Sequence, residues 1–265
     1  MKKIYLSLAL ILGLCVSANA WNKDANEGIV VLATKHLSTE AASLVQQHLG
    51  DSYLDDVDYL YALEKKKKAT HSKEIHYLHL NSALQPAAGT TAANDALKGI
   101  EQAVEVLRNR AQHSKSEVQT ALRTIINLMC DIHDISRTRI EGVPHSQQDF
   151  RFACYKGDMG KRKSASPLKW SSFWHYYSGW HSGFSGALWA EDMELCLGAR
   201  RAELSKGTLN DWVAQIGTTA AKLYERINAE YEMTRRERNE LEELNYEMMA
   251  RAGYRLAEIL NGVVK

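Results

Sequence analysis

The chain has 265 residues, and its 33 lysines and arginines nearly balance its 32 acidic residues, which gives a formal net charge of +1. This balance excludes the strong basic field that would argue for binding to duplex nucleic acid. Only three prolines are present, and residues that favour long helices, such as alanine, leucine, glutamate and lysine, are abundant.

The N-terminal segment has the pattern of a secretory signal peptide. Two lysines precede the apolar run 4–16, and small residues that suit a signal peptidase end at Ala20. The run is shorter than the roughly 20 apolar residues that span a bilayer, and no later segment approaches that length. We therefore predict cleavage between Ala20 and Trp21, which divides the chain into a signal peptide (1–20) and a single domain (21–265). The mature protein is expected to be secreted or periplasmic, with no membrane span.

Helical periodicity recurs along the mature chain. Ser38 has the position of an N-cap and Gly50 that of a C-terminal stop, while Ser114 and Glu117 have the spacing of a capping box. The predicted helices cover residues 38–50, 94–110, 114–132, 187–202, 210–230 and 234–260.

The periodicity is lost between residues 141 and 172, where two prolines and three glycines occur among several serines. This pattern predicts a long irregular loop, and long ordered loops are more often functional than idle. Residues 75–80 have the pattern of a short strand, but no pair of strands joined by a hairpin turn is evident. We therefore predict an all-α class, with one mostly helical domain and an irregular loop region over 141–172.

The mature chain contains three cysteines. In an exported protein one disulfide is expected, with one thiol left over. Because Cys130 lies in an apolar helical stripe, the predicted pair is Cys154 with Cys196.

Polar side chains that could bind a metal occur in three segments. Asn127 and Asp131 are four residues apart and so share one face of a predicted helix. His76 follows the lysine-rich segment, and His175 and His181 lie in an aromatic segment. There is no His-x-x-x-His pair, so spacing alone does not define a zinc site.

Several segments together resemble the zinc-dependent single-strand nucleases, the family of the fungal nucleases S-one and P-one, which is related to bacterial phospholipase C. In chain order they are Trp21 as the mature N-terminus, the helix 38–50, Ile75-His76-Tyr77, Cys130-Asp131-Ile132-His133, the aromatic segment 170–183, Asp211-Trp212-Val213-Ala214 and Gly253-Tyr254-Arg255-Leu256-Ala257. The resemblance covers essentially the whole mature chain and implies a single, mostly helical domain.

The resemblance also implies a metal centre. In that family an N-terminal tryptophan, histidines and aspartates hold three zinc ions, and a metal-bound water attacks a phosphodiester. The positions that keep a ligand are Trp21, His76, Asp131 and one of His175 or His181. Two registers compete for that last segment, and each of them loses one ligand of a His-x-x-x-Asp pair. No catalytic residue is assigned, although Asp131 stands at the corresponding family position.

Four other family ligand positions carry residues that do not fit zinc in this role, namely Asn26, Leu63, Asn127 and Arg137. Because each zinc ion needs at least three protein ligands, we expect one zinc ion or none rather than three. A buried Asp131 without metal needs another positive charge. Arg137 either supplies that charge or points into solvent.

Two functions follow from the resemblance. The first is a non-catalytic binding protein for a nucleotide, single-stranded nucleic acid or another phosphate or sugar ligand, with Arg137, Trp174, Tyr177 and Trp180 as candidate binding residues. The alternative is a phosphodiesterase with a reduced zinc centre that cleaves single-stranded nucleic acid or 3′-nucleotides. Recognition of a phospholipid headgroup is a third hypothesis. Nothing in the sequence indicates a protein partner.

Overall fold

The computed structural model describes residues 21–154, 166–176 and 183–265, and most of these residues are helical. The α-helices are α1 (Lys23–Thr34), α2 (Thr39–Leu49), α3 (Tyr59–Lys65), α4 (Ala96–Arg108), α5 (Lys115–His133), α6 (Trp170–Tyr176), α7 (Gly186–Leu197), α8 (Arg201–Leu204), α9 (Leu209–Arg226) and α10 (Arg235–Gly262). Short 3-10 turns cover Gly50–Asp56, Lys73–His76, Arg110–Gln112, Ile135–Arg137, Pro144–Ser146 and Gly198–Arg200. The strands are β1 (Leu78–Leu80), β2 (Thr138–Ile140), β3 (Arg151–Cys154), β4 (Ser166–Lys169) and β5 (Glu232–Met233).

Helix α5 runs through the centre of the core. It packs against α4, α10, α3 and α2, and its apolar stripe from Val118 to Ile132 is buried. The buried apolar side chains of the described residues form one contiguous cluster. Side chains on the last two turns of α5 are therefore enclosed on all sides by other elements, and Asp131 is one of them.

The predicted helix starts are confirmed by their hydrogen bonds. The Ser38 hydroxyl accepts a hydrogen bond from the backbone of α2, and Gly50 follows the last residue of that helix. Ser114 and Glu117 bond each other's backbone N–H groups in a capping box, and so do Thr208 and Asp211 at the start of α9. These pairs satisfy amide groups that a helix cannot satisfy internally.

Three of the described helices lie outside the predicted ranges, namely α1, α3 and α6, and α6 begins inside the region 141–172 that was predicted to be irregular. Helix α1 was missed although Asn22 caps it by accepting from Ala25 N. Helix α3 is only two turns long, and its N-terminal residue Asp58 makes no capping hydrogen bond.

Helix α1 packs very closely against α7 and α10. A Cβ atom on Gly28 would lie 2.3 Å from the Cβ of Trp189, and one on Gly253 would lie 2.9 Å from the Ile29 carbonyl oxygen. Only glycine allows the helices to approach to this distance. The N-terminal helix is thus held between two helices from the C-terminal third of the chain.

Two small sheets accompany the helices. Strands β1 and β2 pair in parallel, with Leu78 opposite Thr138, and β1 falls within the segment 75–80. Strand β3 pairs antiparallel with β4 and parallel with β5. The all-α prediction therefore holds for the bulk of the chain, which is mostly helical, but not for these strands.

The prediction of an irregular region over 141–172, without paired strands, is wrong at β3 and β4. On β3, Arg151 is exposed, whereas Phe152 and Cys154 are buried, which is the alternation of a half-buried strand. Four residues are too few for this period-two pattern to stand out from a loop in the sequence.

The predicted disulfide between Cys154 and Cys196 is also wrong, since no disulfide joins these two residues. Cys154 lies on the buried face of β3, whereas Cys196 is exposed on α7, so the two thiols do not meet. Cys130 is buried on α5, as its apolar surroundings predicted. Among the helices that the structure describes, none has both the length and the apolar character that a bilayer crossing requires.

Candidate functional site

A cluster of buried polar side chains surrounds Asp131 near the end of α5. Tyr61 reaches it from α3, His76 from the 3-10 turn before β1, and Arg137 from the 3-10 turn that follows α5. The turn that carries Arg137 is fixed by Asp134, whose carboxylate accepts from the backbone and hydroxyl of Ser136. Three separate elements thus converge on a single carboxylate.

Both oxygens of Asp131 have protein partners. The Tyr61 hydroxyl donates to Oδ1 at 2.8 Å, and Nδ1 of His76 lies 2.7 Å from Oδ2. The Nε of Arg137 is 3.5 Å from Oδ1. Asp131 and Arg137 are 1% and 5% exposed, respectively. The predicted contact between Asp131 and Arg137 is therefore confirmed, and the alternative in which Arg137 points into solvent is wrong.

Arg137 is also surrounded by groups that favour its charged form. Its guanidinium lies 5.6 Å from the ring centre of Tyr61 and 5.4 Å from that of Tyr77, and its Nε is 3.7 Å from Asp134 Oδ2. Burial acts to lower the pKa of Arg137, but attraction to Tyr61, Asp131 and Asp134 raises it above its usual value. Burial raises the pKa of Asp134 to about 7. Arg137 is consequently charged although it is buried, and the neighbouring acidic side chains stabilise its charge.

His76 connects this network to a second group of side chains. Its ring stacks on Tyr61 with centroids 3.7 Å apart, and its Nε2 lies 3.2 Å from Glu64 Oε1. Burial acts to lower the pKa of His76, but attraction and hydrogen bonding to Asp131, with a hydrogen bond to Glu64, raise it. The hydrogen bond to His76 lowers the pKa of Glu64.

His71 also approaches Glu64, and its ring lies edge-on to that of His76 with centroids 6.2 Å apart. Its Nε2 is 3.5 Å from Glu64 Oε1, without the geometry of a hydrogen bond, and burial lowers its pKa. Among the described residues, Glu64, His71 and His76 are a set of three potential ligands whose ligand atoms all lie within 4.8 Å of one another. Sequence reasoning missed Glu64 and His71. The available signals were that Glu64 directly follows Leu63, a family ligand position, and that His71 lies five residues before His76.

Trp21 is fully buried, but its hydrogen-bond partners lie outside the Asp131 network. Its indole N–H donates to Asn245 Oδ1 at 2.6 Å, and its carbonyl oxygen accepts from Asn26 Nδ2 at 3.4 Å. Asn245 in turn donates to the Trp174 carbonyl oxygen at 3.2 Å. In the described part of the chain, no hydrogen bond joins Trp21 directly to the Asp131 network.

The candidate binding residues of the aromatic segment are only partly described. Trp174 is 0% exposed and packs edge-to-face against Trp170 and Phe173. Its ring already has protein neighbours where a base would stack. His175 is half-buried on α6. Tyr177, Trp180 and His181 lie outside the described residues, so the choice between the two registers stays a prediction.

Two of the substituted ligand positions have clear local roles. The Asn127 amide accepts from Leu60 N at 3.0 Å and donates to the Asp56 carbonyl oxygen at 2.7 Å, which attaches α3 and the preceding turn to α5. Leu63 lines a groove between α3, α4 and α5 with a volume of about 400 Å³, and His71 lines it as well. Neither position offers a metal ligand in this arrangement.

The residues present around Asp131 do not fit a three-zinc centre. The Asp131 carboxylate is already hydrogen-bonded, the Asn127 amide is used in backbone contacts, and the Arg137 cation stands beside the carboxylate. Metal ions there would face like charge in a buried setting, where charges interact strongly. The chain matches no protein-family model and none of the curated proteins, so a functional assignment has to rest on this geometry.

Proposed function

We propose that the protein has the single-strand nuclease fold but acts as a binding protein that does not hydrolyse its ligand, which is a nucleotide or another ligand that carries sugar or phosphate. The observation that carries this proposal is the buried ion pair between Arg137 and Asp131. In the family that the sequence resembles, an aspartate at the position of Asp131 holds metal. Here the guanidinium supplies the positive charge.

The energetics favour retention of this pair over a metal in the same place. A buried carboxylate that loses its only counter-charge is destabilising by about 3–5 kcal/mol. A cation that entered beside Asp131 would have to displace Arg137 or bear its repulsion, and Arg137 is buried with its guanidinium near the rings of Tyr61 and Tyr77. The network is therefore a substitute for the metal rather than a vacant ligand set.

The groove between α3, α4 and α5 is the candidate ligand site. Its volume, about 400 Å³, suits a small molecule. Apolar walls from Leu63, Ile75 and Val106 face the hydroxyl and amide groups of several polar residues. The polar lining residues are Tyr59, Thr70, Gln102, Ser116, Thr120 and Thr124.

The lining indicates which part of a ligand the groove would hold. It includes no lysine or arginine, and it contains the acidic residue Glu117. Hydroxyl and amide groups suit the hydroxyls of a sugar. We therefore favour a nucleoside or sugar in the groove, with any phosphate group outside it.

The first experiment is hydrolysis of single-stranded DNA, single-stranded RNA and 3′-nucleotides by the purified protein with added zinc. We expect no turnover, together with calorimetrically detectable binding of a nucleoside or nucleotide that is weakened by Thr120→Val in the groove. Ser43→Ala, on the exposed face of α2, is the matched control. Zinc-dependent turnover that is abolished by Asp131→Asn would refute the proposal.

The phosphodiesterase alternative retains support from one observation, the proximity of Glu64, His71 and His76. Two histidines and a carboxylate are a ligand set used by catalytic zinc. Turnover that depends on His71 but persists in Arg137→Lys would favour this second function over the first.

A further inference from the structure

We propose that Glu64, His71 and His76 form a binding site for one divalent transition-metal ion, of which zinc fits the donor set best. His76 is one of the ligand positions that the family resemblance implies, but Glu64 and His71 are not, so this ligand set differs from that of the three-zinc centre. The proposal does not depend on the proposed function, because an ion here can act in binding or in stability without hydrolysis.

The separations between the ligand atoms fit tetrahedral coordination. Metal–ligand bonds of about 2.0–2.1 Å in a tetrahedron place neighbouring ligand atoms about 3.3 Å apart. Glu64 Oε1 lies 3.2 Å from Nε2 of His76 and 3.5 Å from Nε2 of His71. All three ligand atoms lie within 4.8 Å of one another, so small side-chain rotations bring them around one ion.

The orientation of His76 is set by Asp131. With Nδ1 2.7 Å from the Asp131 carboxylate, a neutral His76 carries its proton on Nδ1 and directs the lone pair of Nε2 towards Glu64 and His71. Metal-binding histidines commonly donate their other ring N–H to a carboxylate, which fixes the tautomer and increases the basicity of the ligand. Asp131 thus supports the ligand from outside the coordination shell.

His71 gives the second, independent observation. Its side chain is 7% exposed, and its Nε2 is buried without a hydrogen-bond partner. A buried polar atom with no partner is costly, and such atoms call for a specific explanation. A metal ion between the three ligand atoms would satisfy it.

A proton on His76, in place of a metal ion, accounts for fewer of the contacts among these side chains. A protonated His76 could bridge Asp131 and Glu64 and satisfy both carboxylates. This arrangement would still leave the Nε2 of His71 unsatisfied, because Glu64 Oε1 does not lie in hydrogen-bonding geometry with it. The metal accounts for all three side chains at once.

The donor set also restricts the ion. Two imidazole nitrogens and one carboxylate suit zinc and its neighbours in the first transition row, whereas calcium and magnesium prefer oxygen ligands. Glu64 is the most exposed of the three, at 17%, so it marks the side from which an ion would enter and where a fourth ligand would bind. Because His71 also lines the groove, the fourth position lies near the candidate ligand site.

The test is a titration of the purified full-length mature chain, stripped with a chelator, by Zn²⁺ in calorimetry and by Co²⁺ in visible absorption. We expect one equivalent to bind with a tetrahedral Co²⁺ spectrum, and zinc to raise the melting temperature. Glu64→Gln and His71→Ala should each weaken zinc binding by about 100-fold or more, because each removes one of three ligands. Glu64→Gln keeps the side-chain shape, so it tests the site even if His71→Ala folds poorly.

The matched control is His79→Ala. His79 also contacts two carboxylates, Glu74 and Asp95, but is 21% exposed and belongs to no three-ligand set in the described residues. This variant should bind zinc like the unaltered chain. Absence of zinc binding, or binding of one equivalent that neither Glu64→Gln nor His71→Ala weakens, would overturn the proposal.

Discussion

The core contains two buried arginines that are held in opposite ways. Arg137 lies beside the carboxylates of Asp131 and Asp134. Arg255, which is 0% exposed, donates to the Leu204 carbonyl oxygen at 3.0 Å and to Gln215, lies 3.1 Å from a ring nitrogen of His133, and sits over the Trp212 ring. Burial lowers the pKa of Arg255 to about 9.

The two arginines differ in their direct contacts. Arg255 is held by neutral acceptors and an aromatic face, and the Glu247 carboxylate acts on it without forming an ion pair. At Arg137, by contrast, the carboxylates are the groups that need compensation. Arg137 therefore neutralises an acidic cluster, which is the role that metal has in the family resemblance.

The largest expected change in the free energy of unfolding comes from replacing Arg137. Arg137→Met should lower the free energy of unfolding by about 3–5 kcal/mol, because it removes the guanidinium from a buried ion pair and leaves Asp131 with His76 as its remaining charge partner. Arg255→Met should cost less, about 1–3 kcal/mol, since it leaves only neutral acceptors unsatisfied. Urea unfolding of both variants measures the difference.

The double variant Arg137→Met with Asp131→Asn is the control for this interpretation. If the carboxylate is the source of the cost, neutralising it should recover part of the lost stability. Equal losses for Arg137→Met and Arg255→Met, with no recovery in the double variant, would mean that both arginines act only through packing.

A smaller effect is expected from the hydroxyl that completes the Asp131 network. Tyr61→Phe should lower the free energy of unfolding by about 2 kcal/mol, because it removes a donor to a buried charged group. Tyr59→Phe, two residues earlier on α3, is the matched control and should cost only a few tenths of a kcal/mol, since its ring contact with Arg123 does not need the hydroxyl. Similar losses in the two variants would argue against the network.

The smallest expected effect is the pH dependence of stability that comes from His133, the histidine beside Arg255. Burial, with the nearby Arg255 charge, holds the pKa of His133 well below 6.5, so the folded state keeps this ring neutral while the unfolded state binds a proton. The contribution of His133 to stability is thus complete above pH 6.5 and is lost as the pH falls below it. Between pH 6.5 and 5.5 we expect it to remove about 1 kcal/mol of stability.

His133→Gln isolates this contribution. Its free energy of unfolding should fall less steeply than that of the unaltered chain over the same pH interval, when both are measured by urea unfolding at each pH. Parallel curves for the two proteins would show that His133 does not take up its proton on unfolding.

Local signals in the sequence predicted much of the helical framework. Ser114 with Glu117 and Ser38 with Gly50 mark helix ends through bonds made within a few residues, and these ends are where the structure has them. Strand β3 was missed because four residues carry too short a pattern. Helix α1 was missed although it carries the same kinds of local signal, since Asn22 caps it and Asp24 lies in its first turn.

The same distinction separates the predicted and missed parts of the site. The Asp131 and Arg137 pair was predictable because only the end of one helix lies between them. Glu64, His71 and His76 are brought together by the conformation of residues 65–75. This segment has no helical or strand periodicity, so its conformation was not predictable from the sequence. The bond from Trp21 to Asn245 joins positions 224 residues apart, and a single sequence contains no sign of it.

The glycine contacts of α1 also bear on the order in which the chain folds. Helix α1 is synthesised before the other described helices, but the surfaces that receive it, around Trp189 and Gly253, belong to the last third of the chain. Contacts between such distant segments form only after the intervening chain has been ordered, which slows their formation. We therefore expect α1 to pack against α7 and α10 late in folding. Until then its apolar side chains remain available to chaperones or to other chains.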